Sequence, residues 1–390
     1  MTERGLGPTA DIREGGMRFS IRHGVAATGI AVVLAAGLAA CGGSSGTAVT
    51  AAKTNGGASI DQGFKVGLLL PESKTTRYES FDRPLIEQNI KQLCPKCTVL
   101  YQNADQDSGK QQSQAESMLT QGVKVLILDP VDAKAVTGIV SNAKAQGVPT
   151  VAYDRLASGP IAYYVSYDNH KVGQVQGAAL LAALKAGGDP KRGKIVMING
   201  SPTDPNAAEF KAGAHSVLDG QVNIGAEFDT PDWSPDQAQS EMTQAITSVG
   251  KGNIIGVYAA NDGTAGGAIA AMKAAGFTTI PPTTGQDAEL AAIQRILAGE
   301  QAMTVYKAIK PEAMIAAQMA MSAATGQPLT GTPPTTKVNN GTVDVPSVLL
   351  NPQVVTKANI KDTVIKDGFY NAQQICTQQF AAACKAAGIS

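Results

Sequence analysis

The sequence predicts an α/β protein of two three-layer domains, each a parallel sheet covered on both faces by helices. Three observations carry this. Short continuous apolar runs rich in β-branched residues alternate with longer amphipathic stretches from Phe64 onward, the pattern of strands buried on both faces and linked by crossover helices. Nine such runs in roughly 310 residues suit two domains better than one. Nearly every run ends in a charged or amide residue, and in open α/β sheets ligands bind at the carboxyl ends of the strands.

Taken in order, the chain opens with Arg18 and Arg22 ahead of an apolar run at 24–40 that closes on Leu38-Ala39-Ala40-Cys41. Basic, apolar and small residues in that order form a secretory signal. A cysteine at the cut is a lipobox pattern, in which the thiol is diacylated and becomes the new N-terminus. As a membrane span the 17-residue run falls short of the roughly 20 residues a helix needs. The first sixteen residues add nothing to this pattern, so Met1 and Met17 both remain as starts. Residues 42–62 are mostly Gly, Ser, Ala, Thr and Asn without periodicity and read as a flexible tether. Predicted strands then fall at 64–70, 98–102, 123–128, 150–153, 163–165, 194–198, 223–228, 254–258 and 303–306. Helical patterns lie between them at 109–121, 132–146, 169–186, 206–218, 235–249, 264–275 and 289–298.

The strand exits carry Glu72 to Arg77, Asp129, Asp154-Arg155, Asp168-Asn169, Asp204 with Asn206, Asp232-Trp233, Asn261-Asp262, Asp287 and Lys307. Each alone is explained as a helix cap, and Asn169 and Thr264 are read as caps only. Together they describe a cleft that hydrogen-bonds a small polar ligand. Charged residues are 16% of the chain and the formal net charge is +0, so no basic surface for nucleic acid is expected. Cys41 belongs to the anchor. Cys94, Cys97, Cys376 and Cys384 are an even set for an oxidising compartment; proximity favours Cys94–Cys97 and Cys376–Cys384 among three pairings. A redox-active Cys94-Pro95-Lys96-Cys97 is disfavoured because it ends a helical pattern instead of opening one. Four-cysteine zinc binding is disfavoured by the wide second spacing.

The three histidines, His23, His170 and His215, are scattered and assemble no triad or metal site. Gly42–Gly46 matches GxSxG inside the tether, away from any strand–helix elbow. Gly188–Lys194 approaches a phosphate loop but continues with Ile195 and precedes a strand. The expectation is a binding protein with no catalytic residues, no cofactor and no metal.

Several strings then resemble the type I sugar-binding proteins of bacterial ABC importers, and within them the xylose-binding branch. They are Val151-Ala152-Tyr153-Asp154-Arg155, Ser166-Tyr167-Asp168-Asn169, Asn261-Asp262-Gly263-Thr264-Ala265-Gly266, Gly285-Gln286-Asp287-Ala288, Met303-Thr304-Val305-Tyr306-Lys307, Asn339-Asn340-Gly341 and the run from Ile360 to Phe369. The likeness spans about 64–370, in order and with matching spacing. It implies the type I periplasmic-binding-protein fold: two similar α/β/α lobes joined by a three-segment hinge, closing on one monosaccharide, D-xylose or a similar aldopyranose. It also implies a monomer that delivers its sugar to a permease and its ATPase subunits, held by its lipid on the outer membrane face. A signalling receptor with the same site is the alternative, as are glucose, galactose or arabinose as ligand. Carried over by motif, the first lobe contributes Arg77, Tyr78, Asp154 and Arg155. The second contributes Asp204, Asn206, Trp233, Asn261 and Asp287, with Lys307 where the chain crosses back. Tyr78 and Trp233 are the candidate plates for the two faces of a sugar ring, although Tyr78 stands where the xylose branch has tryptophan. The expected division is 1–41 signal, 42–62 tether, 63–167 with 307–332 first lobe, 168–306 with 333–371 second lobe, and 372–390 a C-terminal extension.

Overall fold

The computed structural model describes residues 57–389; the signal, the lipobox Cys41 and most of the tether lie outside the described residues. In chain order the first lobe is built from β1 (Lys65–Leu70), α1 (Arg83–Leu93), β2 (Thr98–Asn103), α2 (Ser108–Thr120), β3 (Val125–Leu128), α3 (Thr137–Ala145), β4 (Thr150–Tyr153) and β5 (Tyr163–Tyr167). The chain then enters the second lobe: α4 (Asn169–Ala186), β6 (Lys194–Asn199), α5 (Pro205–Leu218), β7 (Ile224–Asp229), α6 (Pro235–Val249), β8 (Ile254–Ala259), α7 (Asp262–Ala274), α8 (Leu290–Ala298) and β9 (Thr304–Tyr306). After Lys307 it returns through α9 (Ile309–Thr325), β10 (Thr336–Asn339) and β11 (Asp344–Leu350) to the first sheet. It crosses a last time to β12 (Gln353–Val355), followed by α10 (Ala372–Ile375) and α11 (Ala381–Ala386).

The first sheet runs β10-β11-β5-β4-β3-β1-β2, and only the β10–β11 pair is antiparallel. The second has β7-β6-β8 parallel and continues through single bridges, Val257 to Thr283 and Gln286 to Val305, to the β9–β12 pair. Alternating residues of each strand feed cores on opposite faces, as a period of two requires. On β1, Val66, Leu68 and Leu70 pack toward α1 and α9 while Leu69 joins the core of α2 and α3. In the second lobe Ile195 and Met197 face α4 and α5, and Val196 and Ile198 face α6 and α7. These four cores make each lobe three layers, and the chain crosses between lobes after Tyr167, after Lys307 and after Leu350.

The boundary placed at 333 needs correction. Residues 336–350 belong to the first sheet, because β11 pairs in parallel with β5, Val348 opposite Val165. The pairing is non-local and β10 is nearly all exposed, so no apolar run announces it. The end of the stretch assigned to the tether is also ordered: Ala58 N–H donates to Ala324 O, and Lys96 donates to Asp61 O. Cys94 is bonded to Cys97 and Cys376 to Cys384, with Cys94 terminating α1 as its C-cap.

Candidate functional site

All ten residues singled out from the sequence line one cavity between the lobes, with about 270 Å³ not filled by protein atoms. Three others join them: Thr75, Phe210 and Gln286. The strand exits bring them there. Thr75, Arg77 and Tyr78 follow β1, Asp154 and Arg155 follow β4, Asp204 and Asn206 follow β6, Trp233 follows β7, Asn261 follows β8, and Lys307 follows β9.

Three of these residues hold backbone conformations that side chains seldom adopt: Asp154 at φ +56°, Trp233 at +54° and Asp287 at +89°. Such left-handed geometry costs on the order of 1–3 kcal/mol each and persists where the surroundings over-determine it. For Asp154 the determinants are visible. Its carbonyl accepts from Ser166 Oγ at 2.6 Å, Asn206 Nδ2 at 3.0 Å and the Tyr164 hydroxyl at 3.2 Å.

The side chains form two linked networks. In one, Arg77 pairs bidentately with Asp82 at 2.6 and 3.0 Å and donates to Glu312 at 3.1 Å. Its remaining nitrogen lies 3.4 Å from Asp154 and 3.8 Å from Asp287. Lys307 sits 3.3 Å from Asp287 and 3.6 Å from Asp154. In the other, Asp204 pairs with Arg155 Nε at 2.9 Å and accepts from Trp233 Nε1 at 3.0 Å and from the Asn206 backbone N–H at 2.8 Å. Tyr78 links the two, donating to Asp154 at 3.0 Å while Arg155 donates to its hydroxyl at 3.3 Å.

Burial sets the protonation pattern. Burial works against the charged form of Asp154, yet Arg77, Lys307 and Arg155 outweigh it and hold this carboxyl below its ordinary range. For Asp129 and Asp204 burial wins over Arg155 and raises both. Glu312, behind Arg77, is pushed up to about 8 by burial in spite of that cation. For Lys307 burial opposes the ammonium, but Asp154 and Asp287 more than compensate and raise its pKa. Each cation therefore already faces a carboxylate, and no free positive charge awaits an anion. What stays available suits hydroxyls. Asp287 Oδ1 and Gln286 Oε1 are buried acceptors without a hydrogen-bond partner. Asn261 spends its oxygen capping α7 on Thr264 N–H, which leaves its amide N–H₂ to donate.

The caps sort differently from expectation. Asn261 is the cap and Thr264 reciprocates in a capping box. Asp168 caps α4, accepting from Lys171 N–H. Asn169, read as a cap only, instead donates to Asn206 Oδ1 at 2.9 Å and so steadies a cavity residue. The aromatic surfaces also differ from a Tyr78–Trp233 pair. Phe210 lines the same cavity, edge-on to Trp233 with centroids 6.3 Å apart. It lies one helical turn beyond Asn206, a spacing that puts both on one face and is the signal that could have found it. Gln286 could have been found as the neighbour of Asp287. Thr75 carries no sequence signal beyond its place among the β1 exit residues.

Two α/β lobes sharing a cavity lined by buried polar side chains define a ligand-binding protein of the clamshell type. The comparisons agree on the family: residues 66–328 match the model of the periplasmic binding protein domain, and the chain belongs to that family. The family is one of binding proteins and not of enzymes. The chain is 38% identical over 317 residues to the D-xylose-binding periplasmic protein of Escherichia coli, covering 80% of this chain and 92% of that one. It is 31% identical to the multiple sugar-binding periplasmic receptor of Rhizobium radiobacter, covering 80% and 92%. Among solved structures it is similar to an ABC transporter solute-binding protein of Clostridium phytofermentans with bound β-D-glucose. That match has a TM-score of 0.74 at 28% identity and covers 80% of this chain and 99% of the other.

Proposed function

We propose that this protein captures D-xylose, or an aldopyranose of similar shape, outside the cytoplasm and delivers it to an ABC permease. The observation that carries the reading is the cavity itself: ten polar and three aromatic side chains converge from both lobes on a space of about 270 Å³. Carboxylates and amides ring the space for hydroxyls, and Trp233 and Phe210 offer apolar surface for C–H faces. Because both lobes supply contacts, a ligand binds the closed form better than the open one, and that difference in affinity drives closure. The closed form is what a permease would dock.

Titration calorimetry with D-xylose, D-glucose, D-galactose and L-arabinose tests this. One-to-one binding with D-xylose tightest is the expected result, and no heat with any of the four would remove the reading. We further propose Arg77, Tyr78, Asp154, Arg155, Asp204, Asn206, Trp233, Asn261, Asp287 and Lys307 as the sugar contacts, and Cys41 as the diacylated anchor. Two acyl chains give stable membrane attachment where one gives marginal attachment. The Cys41→Ser protein is expected in the culture medium; recovery in the membrane fraction would exclude a lipid anchor at Cys41.

A further inference from the structure

Outside the cavity, four aromatic rings meet where the lobes adjoin. Phe81 stacks on Phe369 with centroids 4.1 Å apart and meets Tyr370 edge-on at 5.7 Å. Tyr306 lies 5.1 Å from Phe369. Three of the rings are tied to different cavity segments. Phe81 belongs to the single turn Tyr78–Asp82 that carries Tyr78, and Tyr306 directly precedes Lys307. The Tyr370 hydroxyl has the Leu290 amide against it, at the start of α8 and three residues past Asp287. Phe81 lies in the turn that leads directly into α1 of the first lobe. Phe369 and Tyr370 follow β12, which pairs with β9 in the second sheet. Beyond them α10 is pinned to α8, Gln294 donating to Ile375 O at 3.2 Å. The Phe81–Phe369 contact therefore crosses between lobes without touching the ligand space. Lys310 of α9, donating to Asp367 O at 2.9 Å, crosses beside it.

We propose that Phe81 and Phe369 form an interlobe latch that sets sugar affinity by stabilising the closed state itself. The inference rests on the sugar-binding reading for its consequence, not for its geometry. Apparent affinity scales with the fraction of protein in the binding-competent state, and an aromatic contact present only on closure raises that fraction. The latch also positions the cavity, because the rings hold the turn bearing Tyr78 and the start of α8 near Asp287 in fixed relation.

The test uses Phe81→Ala and Phe81→Leu in the full chain. Trp233, the chain's single tryptophan, lines the cavity and reports binding by its own fluorescence. Phe81→Ala is expected to weaken D-xylose binding roughly three- to tenfold, chiefly through faster dissociation in stopped-flow. Phe81→Leu is expected to recover part of the loss. By small-angle scattering the unliganded Phe81→Ala protein is expected to have a larger radius of gyration than wild type, the two converging when sugar is saturating. A variant with a lower melting temperature but wild-type affinity and dissociation rate would reduce Phe81 to packing and overturn the latch. If Phe81→Ala does not fold, Phe369→Leu is measured in the same way. If wild type binds no sugar the functional reading fails, while scattering of the unliganded proteins still decides the latch: equal radii overturn it.

Discussion

Asp287→Asn is expected to weaken sugar binding by about 10- to 150-fold while leaving the fold in place. Asparagine is the informative replacement because the residue sits at φ +89°, where Asn and Asp are tolerated and an alanine would add its own strain. It has nearly the same shape, so cavity volume is kept. What changes is the buried oxygen, Asp287 Oδ1, which has no hydrogen-bond partner and stands 3.3 Å from Lys307 and 3.8 Å from Arg77. A hydroxyl placed there meets a charged acceptor, an interaction worth about 1.5–3 kcal/mol. With asparagine the acceptor is neutral, and the excess positive charge falls on Lys307, which keeps only Asp154 at 3.6 Å. The backbone is anchored separately, Asp287 N–H donating to Val305 O at 2.8 Å, so the variant should still fold, with a melting temperature lowered by the uncompensated charge. Calorimetry with D-xylose beside a thermal melt decides it. Affinity within threefold of wild type would take Asp287 out of the site.

The parts of the fold that were legible in sequence are those whose physics is local. β1, β3, β4, β6 and β8 are almost wholly buried, and continuous apolar runs are what burial on both faces demands. The β10–β11 hairpin was invisible because β10 is short and nearly all exposed, and because its assignment depends on β5, some 180 residues distant. The same division runs through the site. Polar residues at strand exits could be read as a cleft, since fold topology dictates where exits gather. The partners that aim them could not. Arg77 is oriented above all by Asp82 and Glu312, and Glu312 lies in an alanine-rich helix where nothing local marks it. Phe210, deep in α5, looks like any core residue until Trp233 is placed against it. Thus the residues facing the ligand space were recoverable, and the shell that fixes their geometry was a product of tertiary contacts.

Gly200→Ala is expected to be as damaging to binding as loss of a charged contact, although it removes no polar group. Gly200 follows β6, and a β-carbon built there would lie 2.0 to 2.6 Å from three atoms of the Trp233 six-membered ring. The indole thus lies directly on the Gly200 backbone, and any side chain drives it off. Trp233 has little room to yield. Asp232 and Trp233 are both left-handed, at φ +57° and +54°, and the ring is fixed by its bond to Asp204 at 3.0 Å and by Phe210 at its edge. Displacement breaks the bond to Asp204, which also organises Arg155 and Asn206, so the disturbance spreads to the first-lobe side of the cavity. Overpacking of a close-packed site costs roughly 1–3 kcal/mol of stability. The binding loss adds a misplaced aromatic wall and a freed carboxylate, on the order of 2–4 kcal/mol, or about 30- to 1,000-fold. Tryptophan emission gives an independent reading: the ring should become more solvated and its maximum move to longer wavelength. Should Gly200→Ala bind D-xylose as wild type does with unshifted emission, the indole is not held against that backbone and cannot be the fixed wall of the cavity.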